Sequence, residues 1–258
     1  MNTRQILSQL RERADAVYTR GLQRTYYRVL GHQVDRRFAI VSTARTGSNF
    51  LSGGLKTSPS IRMYHEIFAD HNRQIGRDFE KVFATVFQPE SRSTKVVGFK
   101  VFYNHLTEEE WQKLLFYRDL KAIHLTRRNR LKTVISLEIA FKTGRWTKSR
   151  GSGRPEDKHL TLDPAKVLAR LEQIEAGESA TRARFADRQM LEVVYEELVR
   201  SPREVFATIG SYLGVSDIDP DKIRLKRQNP EALKQLITNY EEVKAVLKNT
   251  RFEEYLQA

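Results

Sequence analysis

One stretch constrains this chain more than any other: Phe38-Ala-Ile-Val-Ser-Thr, then Ala44-Arg-Thr-Gly-Ser, then Asn49-Phe-Leu-Ser-Gly-Gly-Leu-Lys. The first part is apolar without a helical period, which suits a strand buried on both faces. The last part reads as a helix weakened by two glycines. A strand that turns tightly into a helix aims backbone N–H groups and the positive helix end at one point, where an anion binds. Ser42, Thr43, Arg45, Thr46, Gly47 and Ser48 line that point, and Asn49 follows in the first turn. A guanidinium there is repelled by the helix end unless an anion lies between them. The plainer alternative is a simple helix N-cap.

The pattern is P-loop-like but departs from the Walker form, which needs an upstream glycine and a lysine before the hydroxyl residue. Neither occurs here, so ordinary ATP or GTP use is disfavoured and Arg45 must supply the cation. Three more strands follow, Val96-Val-Gly-Phe-Lys-Val-Phe, Ala122-Ile-His-Leu-Thr and Gln189-Met-Leu-Glu-Val-Val-Tyr. Helices separate them and carry start signals: Thr107 with Glu110, Asp163-Pro164, and Ser201-Pro202 with Glu204. Alternation of this kind predicts an α/β fold with a parallel sheet flanked by helices. The C-terminal segment 231–256 repeats apolar residues at helical spacing and reads as one helix.

The organisation reads as a single domain over 1–258, with a helical extension at 1–36 and a flexible loop or lid at 147–159. The arginine-rich extension is a docking helix or a helix lying on a membrane surface. No apolar run reaches the roughly 18 residues of a membrane span and no secretory signal is evident, so the expected location is cytoplasmic. With no cysteine among 258 residues, disulfides, thiolate metal sites and a cysteine nucleophile are excluded.

The formal net charge of +13 calls for an anionic partner. Between Arg118 and Arg154 eleven basic residues face two acids. Within that stretch Arg128-Asn-Arg-Leu-Lys-Thr-Val-Ile-Ser136 leaves the third strand and enters a helix. Ser136 lies about two turns on and can share a face with the helix start. This is a second anion site at a neighbouring strand end or a solvated basic helix face. Arg127 is interchangeable with Arg128 at the precision of the strand boundary.

Ser42-Thr-Ala-Arg-Thr-Gly-Ser-Asn-Phe-Leu51 resembles the 5′-phosphosulfate loop of sulfotransferases that use 3′-phosphoadenosine-5′-phosphosulfate (PAPS). It is most similar to the bacterial branch that sulfates nodulation factors and trehalose glycolipids, with Ala44 where that branch often has proline. Arg128 and Ser136 resemble the family's 3′-phosphate element. The resemblance implies the sulfotransferase fold, PAPS as donor with PAP (adenosine 3′,5′-bisphosphate) as product, no metal, and a carbohydrate or glycolipid acceptor. It implies nucleotide contacts for Arg45, Thr46, Gly47, Ser48, Asn49, Arg128 and Ser136, with Trp146 and Arg227 as further candidates. Glu66 matches the branch's catalytic glutamate, while His105 is the rival base by analogy with the animal cytosolic enzymes. Lys100 would help to hold the transferring group, and Arg45 would stabilise charge on the leaving phosphate.

Two other classes compete. A nucleotide kinase with a degenerate phosphate loop predicts magnesium-dependent ATP binding. A nucleic-acid-binding module would use the basic stretch, but Phe141 and Trp146 are its only aromatics between Arg118 and Arg154, so stacking platforms are scarce and no nucleic-acid partner is expected.

Overall fold

The computed structural model describes residues 26–70, 78–146, 157–223 and 232–257. Five parallel strands form one sheet in the order β2-β3-β1-β4-β5. They are β1 (Arg36–Ser42), β2 (Ile61–Glu66), β3 (Val96–Phe102), β4 (Lys121–Thr126) and β5 (Met190–Val194). The helices are α1 (Ser48–Leu55), α2 (Phe79–Phe83), α3 (Glu108–Leu115), α4 (Arg130–Thr143), α5 (Pro164–Arg184), α6 (Tyr195–Arg200), α7 (Pro202–Leu213), α8 (Leu233–Leu236) and α9 (Tyr240–Leu247). The expected α/β class and parallel sheet are therefore observed.

Alternation along the central strand decides what covers each face. Ala39 and Val41 of β1 join Phe83 of α2 and Trp111 and Leu114 of α3 on one side. Phe38 and Ile40 join Leu51 and Leu55 of α1 and Phe206 of α7 on the other. Gly98 of β3 leaves room for the Phe38 ring, since a Cβ there would lie 2.2 Å from its Cζ. A separate apolar layer joins α4, α5, α8 and α9 through Leu131, Leu171, Leu236 and Val243.

The helix starts follow the sequence signals. Thr107 and Glu110 close a reciprocal capping box on α3, and Asp163 accepts from the amides of Ala165 and Lys166 ahead of Pro164 in α5. Pro202 opens α7.

Two expectations need correction. The sheet has a fifth strand, β2, beyond the four expected from the apolar runs. Its burial alternates, with Ile61 and Met63 inward and Arg62 and His65 outward, as suits an edge strand beside β3. The C-terminal helix is also broken. Leu160 inserts a bridge against Ile237: its amide donates to the Leu236 carbonyl and its carbonyl accepts from Thr238. The Asn239 amide group donates to the Leu162 carbonyl, which fixes the gap before α9. The 1–25 part of the N-terminal extension and most of the 147–159 loop lie outside the described residues. No described helix is long and apolar enough to cross a membrane.

Arg130 on α4 ties that layer to α5. Its guanidinium donates twice to Glu178 Oε2, at 3.2 and 2.6 Å, and also to the Tyr255 hydroxyl. Glu178 is almost wholly buried. Replacing Arg130 by leucine strands that carboxylate, and we predict a loss of about 3–5 kcal/mol in urea unfolding, largely recovered when Glu178 also becomes leucine.

Candidate active site

The site gathers at the carboxyl ends of the strands, where open α/β sheets bind ligands. β1 ends at Ser42, and the turn into α1 places two residues in the left-handed region, Arg45 at φ 68° and Gly47 at φ 98°. Such turns point successive amides inward and form an anion-binding concavity. Gly47 is required for space as well as for φ, because a Cβ would sit 2.3 Å from the Tyr195 ring. The Thr46 hydroxyl is buried and donates to the Thr43 carbonyl, which braces the turn. α1 starts with no side-chain cap and no acidic residue in its first turn, so its leading amides keep their capacity for an anion.

Arg45 lies across this concavity. Its Nε donates to Ser136 Oγ at 3.1 Å and its Nη1 donates to the Trp146 carbonyl. Burial lowers its pKa from the ordinary arginine value, and the charge of Arg127 lowers it further. The two expected anion pockets therefore adjoin, linked by the Arg45–Ser136 hydrogen bond. Ser136 itself is buried on α4.

Arg127 and Arg128 face different ways. The Arg127 side chain is 9% exposed, lies 4.9 Å from the centroid of the Tyr195 ring, and approaches Glu196 at 3.8 Å. Arg128 is exposed and its guanidinium pairs with Glu197. Arg127, the alternate in the sequence reading, is thus the arginine that turns towards Arg45, because neighbouring residues at a strand end point to opposite sides. Two buried hydroxyls, Ser42 Oγ and Thr133 Oγ1, have no hydrogen-bond partner among the described residues. Ser42 ends β1 and Thr133 lies one turn before Ser136, so both stand on elements that converge here. Their free capacity and the clustered cations suit a polyanionic ligand.

Beside the turn runs a second polar chain. Lys100, 1% exposed, donates to Asn49 Oδ1 at 2.7 Å and to Glu66 Oε1 at 2.8 Å. Across the sheet Glu66 pairs in register with Lys100 after a bulge in β2. A buried ammonium is tolerated only with such partners. The sequence candidates Glu66, Lys100 and Asn49 are therefore in direct contact. His105 is folded back onto β3, where its Nδ1 accepts from the Phe102 amide at 3.2 Å and its ring packs on Phe102. Trp146 is half exposed and meets Phe141 edge to face. Arg227 lies outside the described residues.

Tyr195 was not singled out as a site residue from sequence, although it ends the fourth predicted strand, a position that in such sheets borders the ligand crevice. It touches both Gly47 and Arg127 and so sets the distance between the turn and the β4 tip. Among the described residues no group of three or more His, Asp or Glu is arranged to hold a metal.

Fold and strand-tip site together define an α/β protein built around an anion-binding turn, and comparison with known proteins gives the class. The fold is that of sulfotransferases: a sulfotransferase of Alicyclobacillus acidocaldarius superposes with TM-score 0.53 at 20% identity, covering 87% of this chain and 96% of that one. Weaker likenesses include mouse sulfotransferase SULT7A1 complexed with PAP, with TM-score 0.48 and 13% identity over 91% of this chain and 92% of that one. Another is sulfotransferase STF1 of Mycobacterium tuberculosis H37Rv, with TM-score 0.43 and 15% identity over 72% and 69%. No curated protein matches the sequence. The family model described as Stf0 sulphotransferase matches residues 54–242, and the chain belongs to that family of enzymes. The match begins after the phosphate-binding turn, so the turn's geometry is an independent observation.

Behind the site, His124 of β4 is fully buried, with Nε2 2.9 Å from the Tyr103 hydroxyl and Nδ1 3.5 Å from Glu192, which also pairs with Arg182. Burial pulls its pKa down to about 4, against the raising effect of Glu192. The native state therefore refuses a proton that the unfolded chain takes up near the ordinary histidine value. Stability should fall as pH drops from about 6.5 to about 4, by about 3 kcal/mol at most from this group, and His124→Asn should flatten that part of the urea-midpoint profile.

Proposed function

We propose that this enzyme transfers the sulfuryl group of PAPS to a hydroxyl of a carbohydrate or glycolipid. The observation that carries the donor assignment is the pairing of Arg45 and Arg127 at an uncapped helix N-terminus, a cationic site that suits a nucleotide bearing phosphate at both ends. Family membership replaces the kinase and nucleic-acid readings. The acceptor class rests on the likeness of Ser42–Leu51 to the bacterial carbohydrate-sulfating branch.

In this reading the turn amides, Arg45, Thr46, Gly47, Ser48 and Asn49 hold the 5′ end of the nucleotide. Ser136 and Arg127 hold the 3′-phosphate, with Arg128 as the outer alternative and Trp146 beside the base. The donor supplies an activated sulfuryl group; transfer is in line and depends on positioning and charge stabilisation. Glu66 accepts the proton of the attacking hydroxyl. Its contact with the Lys100 ammonium orients it for that task. Lys100 also faces the transferring group with positive charge while Asn49 fixes its direction. Arg45 and the amides of α1 neutralise charge on the leaving phosphate.

Titration calorimetry with PAP tests the donor site. Arg45→Ala and Arg127→Ala should each weaken binding by about 30- to 100-fold, and Arg128→Ala by no more than about threefold, in keeping with charged hydrogen bonds worth about 2–3 kcal/mol. Equal losses for Arg127→Ala and Arg128→Ala would contradict the assignment. For the base, Glu66→Gln should lower the rate of radiolabelled sulfuryl transfer to a carbohydrate by about 10²- to 10⁴-fold. His105→Gln should leave most of that rate.

A further inference from the structure

A threonine inside a helix commonly turns its hydroxyl back to the carbonyl four residues earlier. Thr143 does so to Ile139 at 2.7 Å, Thr181 to Gly177 at 2.8 Å and Thr208 to Glu204 at 3.1 Å. Thr133 breaks the pattern. It is 3% exposed, and its Oγ1 meets no hydrogen-bond partner among the described residues. A buried hydroxyl left without a partner is a cost to the fold that a methyl group in its place would not carry.

The face that carries this hydroxyl is not the apolar one. Leu131, Ile135 and Ile139 recur at i, i+4 and i+8 on α4 and pack into the layer shared with α5, α8 and α9. Thr133, Ser136 and Ala140, at i, i+3 and i+7, are also buried but form a second stripe on the other side of the helix. That stripe borders the anion-binding turn, because Ser136 Oγ accepts from Arg45 Nε at 3.1 Å. Thr133 stands one turn nearer the start of α4, and so nearer the β4 tip that leads into Arg127. A hydroxyl beside clustered cations has one fitting acceptor, an oxygen of the anion that those cations attract.

We propose that the Thr133 hydroxyl donates to the 3′-phosphate of the donor nucleotide, beside Ser136, and helps the enzyme to distinguish PAPS from adenosine nucleotides that lack that group. The assignment rests on the donor reading given above and adds a residue to its 3′ pocket. The stripe on α4 then presents two hydroxyls, one turn apart, to a single phosphate.

Titration calorimetry with PAP and with adenosine 5′-monophosphate isolates this contact. Thr133→Val keeps the branched shape and removes the hydroxyl. It should weaken PAP about tenfold and the monophosphate by less than about twofold, while Thr133→Ser, which keeps a hydroxyl, should stay within about threefold of the unaltered protein for both. Without nucleotide, the urea midpoint of Thr133→Val should be no lower than that of the unaltered protein, since no hydrogen bond within the protein is lost. Should valine prevent folding, Thr133→Ala takes its place in the nucleotide comparison. Unchanged PAP affinity, equal losses for the two nucleotides, or a serine variant as weak as the valine one overturns the assignment. A lowered urea midpoint gives the hydroxyl to the fold and overturns it too. If the unaltered protein binds PAP no more tightly than the monophosphate, the donor reading itself falls. A preference for PAP that survives in Thr133→Val removes Thr133 alone from the pocket.

Discussion

Two guanidinium groups share a partly buried space at the mouth of a helix whose first turn carries no acid and no cap. Burial lowers the Arg45 pKa and the nearby charge of Arg127 lowers it further, yet arginine does not give up its proton in proteins. An anion placed between the two would offset their repulsion. Everything nearby serves that arrangement. The left-handed residues at 45 and 47 set the turn, Tyr195 separates the turn from the β4 tip, and Ser136 receives Arg45 across the gap.

The buried ammonium of Lys100 anchors a second polar chain beside the turn. Taking a lysine out of water is costly, and Asn49 and Glu66 offset that cost. Because Asn49 belongs to the helix that follows the anion turn, the turn and the Lys100–Glu66 pair are mechanically joined. A shift of α1 would move both at once.

Much of this was legible in the sequence, for reasons that can be named. The turn, its helix and the strands at 38, 96, 122 and 189 are long apolar runs ending in small or polar residues, and burial on both faces leaves little ambiguity. Glu66, Lys100 and Asn49 were singled out individually, but their contact depends on the β2–β3 register, which no local pattern encodes. β2 itself escaped notice because an edge strand buries only alternate residues, so Ile61 and Met63 stand among polar neighbours. The choice between Arg127 and Arg128 turned on one residue at a strand end, where side-chain direction reverses with each step. Apolar periodicity near the C-terminus did not reveal the break at Thr238 and Asn239, which is made by a distant segment around Leu160 and Leu162.

The central claim is that the adjoining pockets grip both phosphates of one adenosine nucleotide. Comparing the affinities of PAP and adenosine 5′-monophosphate for the unaltered protein, at one salt concentration, measures the 3′ pocket directly. PAP should bind about 100-fold more tightly, the worth of a phosphate held by arginine and serine. Equal affinities would mean that Arg127 and Ser136 do not receive a 3′-phosphate, and the account of the site would be wrong.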